Sequence, residues 1–294
     1  MAMSQKNQDK KTVLVSTTLP QVDDDALLSA VRRGGKATFE TERLRVRPLR
    51  ASDLAALHAV RSQPEAMTSS HSGRPDASLA QTEAKLKRLG PPYRDSHVYF
   101  GIFLRQQRPI LSEGSKVDDE DGEEGKDAEG ELIGDGGVHM FAGTDSGWPE
   151  LGYKFKREHW RRGYATEFVT GFVRFWWALP RSCRRIEVDE CSVLKSPASF
   201  GINSHDGIKT SWGVSGSTSQ LGKERAGDID DQRTAAVAEG GGNADGLTVV
   251  TERLCAWTTS TNEASQRILE KVGFERFEGL DNGMVNWRAL MPPG

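Results

Sequence analysis

A mixed α/β fold of the α+β class is predicted by three features of this 294-residue chain. Segments that alternate apolar and polar residues come first, and segments with helical apolar spacing are interleaved among them. Two stretches, residues 112–130 and 194–246, break that alternation with polar, glycine-rich sequence. A short basic turn with one glycine, residues 160–165, joins a strand-like segment to a long helix-like one. The expected organisation is a poorly ordered extension over residues 1–38 and a single domain over residues 39–294 that carries both inserts.

Each element has a local reason. Within the extension, residues 25–31 suggest a short helix. Residues 41–49, TERLRVRPL, alternate as a half-buried strand does. Residues 51–67 set Leu54, Leu57, His58 and Val60 at helical spacing, with Ser52 or Asp53 as N-cap. A second helix over residues 78–89 stops at Gly90-Pro91-Pro92, because proline cannot continue the helical ladder. Residues 98–105 and 131–141 read as two strands joined by the first insert. Residues 150–155 are the next strand, 166–179 the long helix and 254–258 a further strand. Residues 263–272 form another helix, closed by Gly273, and residues 276–290 supply two last strands around Asp281-Asn282-Gly283. The aromatic run Phe172, Phe175, Trp176 and Trp177 has the spacing of a core-facing stripe.

The first insert, SEGSKVDDEDGEEGKDAEG, holds one large apolar residue, Val117, and the second is rich in Ser, Gly, Asp and Ala. Neither can bury enough surface to offset the entropy of ordering, so both are expected as disordered, solvated loops. The chain is 36% hydrophobic and its net charge is -3, which gives no pull toward nucleic acid or a membrane surface. A mean hydropathy of -0.57 fits a chain with loop-like parts. Cys183, Cys191 and Cys255 are odd in number without CxxC spacing, so neither a disulfide framework nor a metal site is expected. No apolar run approaches the roughly 20 residues that span a bilayer, and the first residues lack the apolar core of a secretory signal. The expected compartment is the cytoplasm, with the nucleus open as well.

The turn carries the chemistry. Neither GxxxxGK[ST] nor GxGxxG is present. Instead Gly163 and Ala165 sit beside Arg161 and Arg162. Main-chain N–H groups at a helix start lack intrahelical partners and carry the positive end of the helix dipole. A glycine there lets an anion approach closely, which makes the turn a candidate cradle for a pyrophosphate. A basic helix start stapled by Trp160 fits the local pattern too.

The run Trp160-Arg161-Arg162-Gly163-Tyr164-Ala165-Thr166-Glu167 resembles the acetyl-CoA pyrophosphate motif of the GNAT N-acetyltransferase superfamily. It is most similar to the branch of the ribosomal-protein N-terminal (alanine/serine) acetyltransferases, where Trp-x-x-Gly-Tyr-Ala-Thr-Glu is usual. Across the wider superfamily an Arg or Gln stands where this chain has Trp160. Downstream, the run from Asn262 through Ser265, Leu269-Glu270-Lys271 and Gly273-Phe274 resembles the Asn-x-x-Ser…Leu-Glu-Lys-x-Gly-Phe helix of the same branch. Thr41-Glu42-Arg43-Leu44, Arg47-Pro48-Leu49 and Asp53 match its opening strand.

That resemblance implies a twisted mixed sheet with splayed central strands, flanked by helices, and acetyl-CoA as cosubstrate with its pantetheine arm in the gap. Implied cofactor contacts are the main chain of Phe155 for the arm and of Arg161, Arg162, Gly163, Tyr164, Ala165 and Thr166 for the pyrophosphate. Asn262 and Ser265 match positions near the arm or the sulfur. The implied reaction is direct attack by a primary amine, of a peptide N-terminus or a small molecule, on the thioester. Such an amine has a pKa of about 10.4 and must lose a proton, while positioning alone can supply roughly 7–11 kcal/mol. Glu150, at the start of the strand before the turn, is the candidate base, directly or through water. A substrate-orienting or exposed strand-end carboxylate is the alternative reading. Many superfamily members place a tyrosine acid where this chain has Leu269, so Ser265 becomes the candidate donor to the thiolate. His139 is a second base candidate, and with Asp135 it also reads as a satisfied sheet residue. Loss of that tyrosine keeps open a non-catalytic acyl-CoA-binding or scaffold protein.

Overall fold

Strand alternation sets the sheet, and the residues that break it set the helices. The structure is a computed structural model describing residues 11–21, 39–70, 72–90, 97–105, 129–193, 247–278, 280 and 282–292. Its first half runs β1 (Thr12–Pro20), β2 (Phe39–Glu40), β3 (Leu44–Pro48), α1 (Leu54–Arg61), α2 (Pro64–Met67), α3 (Leu79–Leu89), β4 (Val98–Arg105), β5 (Glu129–Met140) and β6 (Glu150–Phe155). The second half runs α4 (Tyr164–Ala178), β7 (Arg181–Asp189), α5 (Glu190–Val193), β8 (Thr248–Val249), β9 (Arg253–Thr258), α6 (Glu263–Val272), β10 (Glu275–Phe277) and β11 (Val285–Leu290). Residues 25–31, 112–128 and 194–246 lie outside the described residues, while Glu129 and Gly130, the end of the first insert, belong to β5.

The main sheet has the order β10-β11-β9-β6-β5-β4-β3-β2. Its pairs are antiparallel except β6 with β9, which run parallel. This is the mixed sheet of the predicted fold class. On one face α4 buries Phe168, Val169, Phe172 and Trp176 against Val46, Ile102, Ile133 and Leu151, with Leu269 of α6 in the same cluster. Each such side chain contributes roughly 1.5–3 kcal/mol of burial. The predicted aromatic stripe is therefore core, with Phe175 and Trp177 half-buried at its margin. On the other face α1 and α3 pack Leu57, Val60 and Leu86 onto Phe103 and Leu132.

The N-terminal expectation needs correcting. Within residues 1–38, residues 12–20 are not a poorly ordered extension but the strand β1. It pairs antiparallel with β7 along its whole length, Thr12↔Asp189 to Pro20↔Arg181, and parallel with β8 on its other edge. Val15, Val188 and Val250 then pack with Trp148 and Phe277, which ties this small sheet to the main one. Helix 51–67 also divides. Gln63 precedes Pro64 and takes an extended conformation (φ -77, ψ 120), as the proline ring demands. Asp53 does not cap α1 through its side chain. Its carboxylate instead accepts from the Arg50 N–H at 2.7 Å and from both Arg47 guanidinium nitrogens at 2.7 and 2.9 Å.

Glu252 joins the two sheets. Its Oε2 accepts from Thr18 of β1 at 3.1 Å and from Arg181 of β7 at 3.2 Å, and its carbonyl takes the Met291 N–H. Burial pushes this carboxyl from 4.5 up to about 7, with Arg181 pulling the other way. The folded state therefore keeps a proton that the unfolded chain releases. Stability from that proton is complete below about pH 4.5 and is lost as pH rises through about 7, to the order of 3 kcal/mol. In urea unfolding at pH 5 and pH 8, Glu252→Gln should lose less stability on going to pH 8 than the parent. Parallel pH profiles for the two proteins would contradict this account.

Candidate active site

β6 and β9 meet at one bridge, Glu150↔Cys255, and then part. Past that point β6 keeps β5 as its partner, and the other edge opens onto a cavity of about 770 Å³. The Lys156 N–H bonds the Ile133 carbonyl across the β5–β6 ladder. Alternation therefore turns the main chain of Tyr153 and Phe155 toward the gap. The Phe155 carbonyl is partly engaged there, since the Trp160 indole N–H donates to it at 2.8 Å. Trp160 is 44% exposed, so it closes the strand-to-helix turn instead of stapling a core.

The turn itself is built by two left-handed residues, Arg161 (φ 60) and Gly163 (φ 82). Arg161 bears a Cβ, and that conformation costs roughly 1–2 kcal/mol. Gly163 is the N-cap of α4 and offers no side-chain cap, so the first-turn N–H groups keep no protein partner from it. Arg161, Gly163, Tyr164, Ala165 and Thr166 all line the cavity. Arg162 does not. Its carbonyl accepts from Arg43 Nη1 at 2.9 Å, away from the gap. Glu167 fixes this first turn by taking Thr41 Oγ1 at 2.5 Å, the Arg43 N–H at 2.8 Å and Arg43 Nε at 2.7 Å. Burial would raise its carboxyl, but those bonds hold it below the usual range.

Across the gap, α6 starts at Asn262, whose Oδ1 accepts the Ser265 N–H at 3.2 Å. Asn262, Ser265 and Leu269 reach the cavity together. Leu269 is 1% exposed and shared with the core, so its position gives an apolar wall and no proton donor. Tyr153 of β6, which the sequence reading did not single out, stands beside Ser265. Burial pushes its phenol up to about 12, with the Ser265 hydroxyl pulling the other way, so it stays protonated at neutral pH.

Glu150 sits where the strands part. It is 7% exposed, and its Oε1 accepts from the Trp257 indole of β9 at 2.7 Å. His139 Nε2 lies 3.0 Å from the same oxygen. The exposed strand-end reading of Glu150 is thereby corrected: the carboxylate is enclosed and held. A register shift between Val138 and Met140 places His139 at a bulge, and bulges re-aim side chains. Gly152 leaves the imidazole room, because a Cβ there would lie 3.2 Å from His139 Nδ1. The sequence offered His139 as a residue type but not this bulge. Asp135 is 1% exposed and pairs with Lys154 at 3.0 Å, a satisfied sheet carboxylate as expected.

Among the described residues no helix is long and apolar enough to cross a membrane, and Cys183, Cys191 and Cys255 are free thiols. No curated protein matches the chain. Similar solved structures include an acetyltransferase from Agrobacterium tumefaciens str. C58, at 17% identity over 85% of this chain and 92% of that one, with TM-score 0.44. Another is a GNAT-family acetyltransferase from Bacillus anthracis, at 16% identity over 86% and 97%, with TM-score 0.44. A third is spermidine N-acetyltransferase from Vibrio cholerae in complex with CoA and spermine, at 10% identity over 85% and 97%, with TM-score 0.44. A family model described as an acetyltransferase (GNAT) domain matches residues 43–192, from β3 through the cradle to α5. This chain belongs to the GNAT acetyltransferase family.

Proposed function

We propose that this protein transfers the acetyl group of acetyl-CoA to a primary amine, on a peptide N-terminus or a small molecule. In this reading residues 39–294 act as one acetyltransferase domain carrying both inserts. The observation that supports it most is the uncapped first turn of α4 opening into a cavity that runs along the β6–β9 gap to Glu150. Five N–H groups, those of Arg161, Gly163, Tyr164, Ala165 and Thr166, suit a pyrophosphate at a helix start. Phe155 and Tyr153 would hold the pantetheine arm by the main chain, and Asn262 and Ser265 would face its thioester end.

Glu150 would take the proton from the attacking amine, directly or through a water. The Trp257 indole N–H holds Oε1, with His139 Nε2 3.0 Å from the same oxygen, which leaves Oε2 for that task. As the amine nitrogen forms its bond to the acetyl carbon, the carbon–sulfur bond breaks and the electron pair goes to sulfur. Ser265 would donate a hydrogen bond to the departing thiolate, with Tyr153 beside it. A second reading, a non-catalytic acyl-CoA-binding or scaffold protein, rests on Leu269 in place of a tyrosine acid and on a base that no measurement has assigned. Thiol release from acetyl-CoA with a panel of amines separates the two, because tight binding without release would support the second.

Three variants test the assignments. Gly163→Asp should weaken acetyl-CoA binding at least about tenfold in calorimetry, by setting a carboxylate against the phosphates. Gly163→Asn, which tolerates the same φ, should lose less; equal losses would mean strain and not charge. Glu150→Gln should lower kcat about a hundredfold or more with acetyl-CoA affinity unchanged, in line with removal of a general base. A kcat within a few-fold of the parent would move the base elsewhere.

A further inference from the structure

Past Glu150 the cavity continues to a wall formed by α1 and α3, on the sheet face opposite α4 and α6. Most charges on this wall are matched. Arg61 binds Asp76 at 2.6 Å and lies 3.6 Å from Asp135. Lys154 pairs with Asp135 at 3.0 Å and donates to Tyr99 at 2.9 Å. Glu65 pairs with Arg157, and Glu150 accepts from Trp257 with His139 Nε2 3.0 Å away.

Lys85 and Arg88 remain. Both line the cavity, and neither has an ion-pair partner among the described residues. The third cation of the same helix, Lys87, instead pairs with Glu83 at 2.6 Å on the solvent side. Buried Thr82, Leu86 and Leu89 anchor α3, so the face shared by Lys85 and Arg88, three residues apart, is fixed toward the cavity. Its positive potential is felt locally. Burial, then Arg88 and Arg61, hold the Lys85 amine below its usual range, with Asp76 pulling the other way. Burial lowers His97 as well, and Arg88 adds to it.

We infer that Lys85 and Arg88 form an anion subsite selecting acceptors that carry a carboxylate near the reactive amine, as an amino acid or an acidic peptide N-terminus does. This rests on the acetyl-transfer reading and adds the acceptor's charge to it. A carboxylate there gains charge-assisted hydrogen bonds from both side chains. A second ammonium, as in a polyamine, meets two like charges and is rejected. The same potential disfavours the protonated form of the incoming amine, which eases the task of Glu150.

The test compares thiol release with glutamate, the tripeptides Ser-Glu-Glu and Ser-Gln-Gln, and spermidine, at saturating acetyl-CoA. At least one of the two acidic acceptors should exceed Ser-Gln-Gln and spermidine about tenfold or more in kcat/KM. Turnover of glutamate alone assigns free amino acids, of Ser-Glu-Glu alone peptide N-termini, and of both the shared carboxylate. The double variant Lys85→Glu/Arg88→Glu should lose that preference, gain activity on spermidine, and keep acetyl-CoA affinity by calorimetry. Equal rates for all acceptors, or a double variant that behaves like the parent, overturn the inference. If no amine is acetylated, the transfer reading fails, and calorimetry of Ser-Glu-Glu with CoA present then decides the subsite. Binding that the double variant abolishes supports it, and absence of binding in the parent overturns it.

Discussion

The separation of β6 from β9 after a single bridge is the constraint on which the rest of this structure depends. A parallel pair would normally continue its ladder, because unpaired main-chain groups in a sheet interior are costly. Here the helices hold the strands apart instead. α4 packs Phe168 and Phe172 under β6, α6 packs Leu269 into the same cluster, and both helices start at the gap. The energy of that apolar packing offsets ladder bonds forgone along the splay. What results is a slot with polar main chain on one wall and two helix N-termini at its rim. An extended ligand with amides and an anionic end fits such a slot.

Local chemistry explains how much of this could be read from residues alone. β4, β6 and α6 begin and end where the sequence places them, α6 at the left-handed Gly273. The cradle is legible for the same reason: glycine, flanking basic residues and an apolar stripe lie within one turn of chain. β1 and β7 are different. Their register joins Thr12 to Asp189; β1 buries Val15, Thr17 and Leu19 alternately, but with a polar Thr17 on the buried face its sequence does not announce that alternation, and β7 leaves most of its residues half-buried or exposed. Pairing between partners so distant in sequence is decided by tertiary packing around Trp148 and Val188, which no window contains. The same holds within the site. Arg162 belongs to the motif by position, yet its carbonyl is tied to Arg43 of the opening strand. His139 reaches Glu150 through a bulge, a one-residue register change that composition does not announce.

The buried ion network under α1 has an analogous logic. Arg61, Asp76, Asp135 and Lys154 are each nearly enclosed, and desolvating such groups costs more than exposed pairs would return. Asp76 also accepts from Thr82, whose hydroxyl contacts His58, so α1, α3, β5 and β6 are locked into one arrangement. Apolar residues of similar volume would hold these elements together at least as well. What they would not do is fix the angular setting of α3 against the sheet. The charges specify the wall more than they stabilise it.

That setting connects the two ends of the proposed reaction. An ammonium nitrogen is unreactive, and the group that deprotonates it must not be so well paired that it loses its appetite for a proton. Glu150 takes one donor, the Trp257 indole, on Oε1, and the Arg61 guanidinium lining the same cavity is already committed to Asp76 and Asp135. Pairing Arg61 and Lys154 locally leaves Lys85 and Arg88, on α3, as the cations of this wall without an ion-pair partner among the described residues. In the proposed reaction the amine can then approach Glu150 while the positive end of the cavity stays available for the other end of its carrier.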